Sequence, residues 1–314
     1  MKDEIPKTEG AISDATAGVP SQRESSGDAP AFDFERDWRD HVIGELTHLG
    51  YAADPTESLD KQTFKLYNAR LRRIPTIPRR VYEARGLSCP TEQAAGYDAL
   101  KAKLAAGDDV NVYLSKTLLD ADYDDALLND WGIHHLHLGT KVARGFVDRT
   151  GPLLFARFTG DAVYCIAIHA RHGGWTEKSL VATIHRNWPN VIAPYRIPGA
   201  IGVDIDHTSA DRALLRQAGI QTFVEVEPGA VYGPIGGGYS SAGTSVAAQI
   251  WTNRRLRLLR ALGEWVGTNV DELLKEVAET GRKPASPPTF ALLVKGDELA
   301  VLETGSRVAW PTPN

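Results

Sequence analysis

Cysteine is nearly absent: the 314-residue chain holds only Cys89 and Cys165, far apart and in no C-x-x-C spacing. That excludes a disulfide framework and a cysteine-rich zinc ribbon, and it fits a reducing compartment. Long apolar runs are lacking too. The longest, residues 162–168, is seven residues, whereas a membrane-spanning helix needs roughly 18 to 20. An excess of positive charge is also missing: 35 Lys and Arg stand against 40 Asp and Glu, a formal net charge of −5. No global basic field gathers nucleic acid, so any such contact has to be local. The first residues, Met1, Lys2, Asp3 and Glu4, have no apolar segment of the secretory kind, which makes the cytoplasm the expected address and a membrane partner unexpected.

What is there folds in the ordinary way. Hydrophobic residues make up 42% and charged residues 24%, the balance of a globular chain with a real core. Residues 1–31 are Gly, Ser, Pro, Thr and Ala among scattered charges, too polar to offset their ordering entropy, and read as a disordered tail. Phe34, Trp38, Val42, Leu46 and Leu49 then recur at the helical period up to Gly50. A second helix is expected over 59–71 and ends before Pro75 and Pro78. Residues 92–106 and 122–130 read as short helices.

Near Ile133 the period changes from 3.6 to 2. Residues 133–138, 153–158 and 162–169 predict three strands of an antiparallel meander, the last two joined by a tight turn at Thr159 and Gly160. Thr176 predicts the cap of a helix with an apolar stripe of Leu180, Val181, Ile184 and Trp188, stopped by Pro189. After Pro198 the pattern predicts a strand at 201–205, a helix at 209–218 and a strand at 221–226, a β-α-β unit with parallel strands. A glycine-rich loop at 233–243 leads into helices at 245–266 and 270–279, and 289–310 reads as a hairpin with a third extended piece. The expected class is α+β: a helical and basic arm with a central antiparallel sheet over 32–198 and flanking helices, plus a C-terminal α/β part over 199–314.

Four constellations are candidates for chemistry. Residues 131–139 place His134, His135 and His137 on one strand, with His135 and His137 sharing a face about 7 Å apart. The neighbouring strand ends in His169, Ala170, Arg171 and His172. Two imidazoles near neutral pH can act as base and acid on a phosphodiester, with Arg157, Lys141, Arg144 and Arg171 stabilising charge. This makes His135, His137, His169, His172 and Arg157 the expected catalytic set, without a cofactor. Alternatively, His135, His137 and His169 could ligate zinc or another divalent transition metal that activates water, or simply be satisfied inside a half-buried sheet.

Residues 64–86 are the most basic stretch: Lys65, Arg70, Arg72, Arg73, Arg79, Arg80 and Arg85 against Glu83, a local balance of +6. Interleaved with Tyr67 and Tyr82, Arg70, Arg72, Arg73, Arg79 and Arg80 suit phosphate contact and base stacking. The same strip could instead pair with the chain's own acidic stretch, Asp120, Asp122, Asp124, Asp125 and Asp130. In the glycine-rich loop, Gly236, Gly237 and Gly238 with Thr244 and Ser245 at a helix start could hold an anion, although neither a Walker A loop nor G-x-G-x-x-G is present. Asp204 and Asp206, on one face of the expected strand, suit a divalent cation or a turn. No G-x-S-x-G elbow surrounds any serine, and no reactive thiol environment surrounds Cys165.

The stretch over 127–189 (LLNDWGIHHLHLG, GPLLFARF, VYCIAIHARHGGW, NWP) resembles a block of uncharacterised bacterial proteins. The helices, the hairpin LLFARFTGDAVYCIAIH and the basic, histidine-bearing end resemble the core of RelE/ParE-type toxins over about 60 of the 314 residues. That resemblance implies a ribonuclease or gyrase poison of toxin or phage-defence type, with RNA or another nucleic acid as target and a neutralising protein as partner. The chain departs from that pattern in its length, its net acidity and its C-terminal part. The reading that follows is a nucleic-acid-directed ribonuclease using His135 with His169 or His172. A metal-dependent hydrolase and a non-catalytic nucleic-acid-binding or interaction protein are the alternatives.

Overall fold

In a computed structural model of the chain, residues 30–170 and 175–312 are described. The expected tail over 1–31 falls almost entirely outside the described residues, as do Arg171 and His172. In chain order the helices are α1 (Phe34–His48), α2 (Leu59–Arg72), α3 (Ala94–Ala106), α4 (Ala126–Trp131), α5 (Lys178–Asn187), α6 (Pro189–Ile192), α7 (Ser209–Gln217) and α8 (Val246–Glu279). The strands are β1 (Arg80–Glu83), β2 (Ile133–His137), β3 (Val142–Ala143), β4 (Phe146–Val147), β5 (Pro152–Phe158), β6 (Ala162–Ala170), β7 (Val224–Glu227), β8 (Ala230–Tyr232), β9 (Phe290–Lys295), β10 (Glu298–Glu303) and β11 (Ala309–Pro311). The fold is mixed α+β.

The main sheet runs β1-β6-β5-β2. Its three later strands are antiparallel, as their alternating pattern predicts, while β1 joins the edge parallel to β6. Alternation separates two cores. Leu136, Leu154, Ala156, Val163 and Cys165 pack against Tyr97, Leu100 and Leu104 of α3 on one face. Ile133, Leu153, Phe155 and Ile166 pack against Leu180, Val181 and Ile184 of α5 on the other. A bulge between Phe155 and Ala156 shifts the β5–β6 register.

A third core joins Phe34, Trp38, Val42 and Leu46 of α1 and Leu66 and Tyr67 of α2 to Leu259, Leu262 and Val266 of α8 and Phe290 and Val301 of the β9–β11 sheet. It unites residues from both sides of the expected boundary at 198. The apolar stripe that marks α1 in the sequence is the side that this core buries.

Several expectations change. Residues 201–205 form no strand: their β-formers alternate, but no neighbouring backbone ladder takes them up. β7 pairs with β8 antiparallel across a short turn, so the parallel β-α-β unit is not formed. The two helices expected over 245–279 are one, α8. Thr268 Oγ1 donates back to the Glu264 carbonyl and Asn269 Nδ2 to that of Trp265, so these two weak helix formers are satisfied on the helix itself. α5 starts at Lys178 with Glu177 as its N-cap residue and no side-chain cap bond, so Thr176 does not cap it.

Candidate active site

β2 sends its histidines to both faces. His134 lies on the α3 side, with its ring edge-on to Phe158 at 5.2 Å, and burial pushes its pKa down to about 4. His135 and His137 lie on the α5 side, 7% and 5% exposed. Across the sheet His137 faces Leu153, and Leu153 faces the exposed His169. His137 and His169 therefore share a row and a face, with one strand between them and about 10 Å between their backbones. His137 Nδ1 accepts the Thr150 amide at 3.3 Å.

The ring of His135 meets Trp175 at 4.3 Å; Trp175 meets Phe155 at 6.1 Å; and Phe155 meets His169 at 6.0 Å. The two histidines thus flank an aromatic pair. Behind His135, Asp125 Oδ2 stands 3.8 Å from Nδ1, while Asp125 Oδ1 accepts the Leu128 amide and caps α4. Asp125 was visible in the sequence only as one of a run of acids. Its spacing from the apolar run of α4 carried the helix-cap signal, but nothing local pointed to His135.

A cavity of about 300 Å³ lies beside this group, lined by Tyr123, Asp124, Asp125, Trp175, Thr176 and Arg216 among others. Burial raises the pKa of Asp124. Arg216 is held in place by Asp130 at 2.7 Å and lies over the Trp131 ring at 4.3 Å, and Asp130 also accepts Gln221 Nε2. Among the described residues, no three His, Cys, Asp or Glu side chains converge as a metal site, so the trio His135, His137 and His169 is not gathered around one point.

The remaining candidates are placed elsewhere. Arg157 sits opposite Ile133, at the far end of the same face, 8% exposed. It donates to the carbonyls of Trp131 and Gly132 and to Tyr195 Oη, and burial lowers its pKa. Lys141 and Arg144 are exposed around the β3–β4 hairpin, where Arg144 takes a left-handed φ of 54°. That hairpin follows the end of β2 that carries His137.

The arginines of the basic strip are engaged by the chain's own groups. Arg70 bridges Glu45 and Asp297. Arg72 donates to the carbonyls of Thr117 and Asp120, Arg73 to Leu49 O and Tyr51 Oη, and Arg79 to Pro75 O and Ile77 O. Arg80 pairs with Asp161. Arg72, Arg73 and Arg79 thus hold carbonyls of the chain's own backbone, and Arg70 and Arg80 hold its carboxylates.

The glycine-rich loop is likewise closed on the chain. The amides of Gly236 and Gly238 donate to the carbonyls of Asp130 and Asn129, and Gly237 donates to Pro234. Thr244 Oγ1 pairs with Ser240 Oγ, and Ser245, fully buried, caps α8 through the Ala248 amide. The expected anion cradle therefore presents none of these three glycine amides, and its hydroxyls are used within the loop and the helix cap. Asp206 is paired with Lys178 and Arg212. Asp204 instead lines an open cavity of about 480 Å³, together with Ile197, Ile205, His207, Ile220 and Phe223 among others.

Among the described residues, no helix is long and apolar enough to cross a membrane. Comparison with family models, curated proteins and solved structures finds no match for this chain.

Proposed function

We propose that the protein is a nucleic-acid-directed ribonuclease working by metal-independent acid–base chemistry, with His135 as base and His169 as acid. The observation that carries this reading is the arrangement of His135 and His169 on one sheet face, flanking Trp175 and Phe155, with the Asp125 carboxylate 3.8 Å behind His135. A carboxylate at this distance acts on the ring through its charge and favours the imidazolium that forms when a ring nitrogen takes a proton.

In the reaction, His135 removes the proton of a ribose 2′-hydroxyl as its oxygen attacks the adjacent phosphorus. His169 gives a proton to the departing 5′-oxygen. The bond from phosphorus to that oxygen breaks, leaving a 2′,3′-cyclic phosphate and a 5′-hydroxyl, and the two histidines have exchanged protonation states. Lys141 and Arg144, on the hairpin at the same sheet end, supply positive charge for the phosphate. Trp175, half-buried beside His135, offers a ring on which a base can stack.

The test is incubation of the purified protein with single-stranded RNA and DNA, with and without chelator, beside His135→Ala and His169→Ala. Chelator-resistant RNA cleavage that both variants lose is the expected result. Chelator-sensitive cleavage overturns the acid–base mechanism in favour of a metal-dependent hydrolase. Absence of cleavage overturns the enzyme reading and leaves a binding protein.

A further inference from the structure

Arg255 is 6% exposed and, among the described residues, has no carboxylate within ion-pair distance. Its Nε donates to Tyr67 Oη at 3.0 Å and one terminal nitrogen to the Asp297 carbonyl at 2.8 Å, while the guanidinium lies over the Trp38 ring at 4.6 Å. The other terminal nitrogen is buried without a hydrogen-bond partner. Burying a charge with only a ring and neutral oxygens around it is costly.

Arg255 forms part of the wall of a cavity of about 240 Å³, which Tyr67, Trp251, Arg254, Leu258 and Asp297 complete. The lining carboxylate, Asp297, is already engaged by Arg70, which also holds Glu45. Arg254 is exposed and makes no ion pair among the described residues. Trp251 packs edge-on against Tyr67 at 5.5 Å and still shows 41% of its surface, with Ile250 beside it at 44%. An open indole, a solvent-facing guanidinium and an uncompensated buried one thus surround one hollow.

We infer that this cavity on α2 and α8 is a binding site for a nucleotide unit, with the base on Trp251 and the phosphate at Arg254. A flat, polarizable ring gains from stacking on the indole. The phosphate forms charge-assisted hydrogen bonds with Arg254, and its charge offsets the field of Arg255 beneath. The inference uses no residue of the His135 site and does not depend on the ribonuclease reading.

Titration calorimetry with thymidine 5′-monophosphate and with a short oligothymidylate, neither of which has a 2′-hydroxyl to react, tests it. Both probes are expected to bind, with thymidine and inorganic phosphate each at least about tenfold weaker. Trp251→Ala and Arg254→Ala are each expected to weaken binding about tenfold, and Trp251→Phe to restore most of the loss. Both positions are on the surface, and an unchanged melting curve verifies that the variants fold. A strand as the natural ligand shows as tighter binding of the oligomer, a free nucleotide as equal affinity per site; either result keeps the ligand class. Failure of both probes to bind, or equal affinity in wild type and both alanine variants, overturns the inference.

Discussion

Asp125 serves two neighbours at once: its Oδ1 accepts the Leu128 amide at 3.0 Å, and its Oδ2 stands 3.8 Å from His135 Nδ1. One short side chain therefore caps α4 and sets a negative charge beside the proposed base. The two duties separate by substitution. Asn caps a helix about as well as Asp, whereas Ala loses about 1 kcal/mol. Asp125→Asn is expected to melt close to wild type and Asp125→Ala measurably lower, while RNA cleavage falls at least about tenfold in both. Wild-type cleavage by the Asn variant would remove Asp125 from the proposed mechanism.

The basic strip gives a second prediction, because its arginines sit in opposite settings. Arg72 is 4% exposed, donates to two loop carbonyls and lies over the Tyr123 ring at 5.7 Å. Truncating it strands the carbonyls of Thr117 and Asp120 and removes its stem from the packing. Arg72→Ala is expected to lower stability by roughly 2 to 4 kcal/mol in a denaturant melt. Arg80, paired with Asp161 at the surface, is expected to tolerate alanine without a change in midpoint. If Arg72→Ala leaves the midpoint unmoved and weakens nucleic-acid binding, the inward role of that arginine is wrong.

Those arginines also mark where the sequence stops being legible. Periodicity located α1, α2 and the β5–β6 hairpin, because the pattern that folds them is the one that buries Trp38, Leu66 and Phe155. It also put His135 and His137 on one face of β2, while the place of His169 on that face comes from the β2–β5–β6 register. It did not tell an arginine facing solvent from one facing carbonyls, since both look like charge in a row. The unpaired stretch 201–205 alternates as a strand does, but a strand also needs a neighbour, which is a property of the fold. The parallel edge strand β1 is four residues long and follows Pro75 and Pro78, too short for periodicity to mark. The Asp125–His135 contact depends on how α4 turns into β2, and the closing of the glycine loop on α4 joins segments distant in the chain.

Acid should reveal His134. Burial, its largest influence, lowers its pKa from 6.5 to about 4. In the unfolded chain the ring takes a proton near pH 6.5; in the folded protein it stays neutral until about pH 4. The unfolded state thus binds more protons between those values, and stability present above pH 6.5 is lost as the pH falls toward 4. The full shift corresponds to roughly 3 kcal/mol. Urea melts at pH 7 and pH 4.5 are expected to show His134→Leu losing less stability over that interval than wild type. Parallel losses would assign the acid sensitivity to other groups.

The glycine-rich loop allows an anion role and a structural role to be told apart. A Cβ added at Gly236 would come within 2.0 Å of the Leu128 carbonyl oxygen and 2.6 Å of Asn129 O and Gly132 N, all backbone atoms. The loop seats itself on the last turn of α4 through the Gly236 and Gly238 amides, and any side chain at 236 forces the two apart. Gly243 has open space around its Cβ position and a φ of 79°, so alanine there meets only backbone strain of about 1 to 2 kcal/mol. Gly236→Ala is therefore expected to lower the melting temperature well beyond Gly243→Ala. Because the amides at 236–238 already have acceptors, phosphate is expected to shift the melting temperature equally in wild type and Gly243→Ala. A phosphate-specific stabilisation of wild type that Gly236→Ala abolishes would show instead that the loop opens to receive an anion, with the α4 contacts as its resting state.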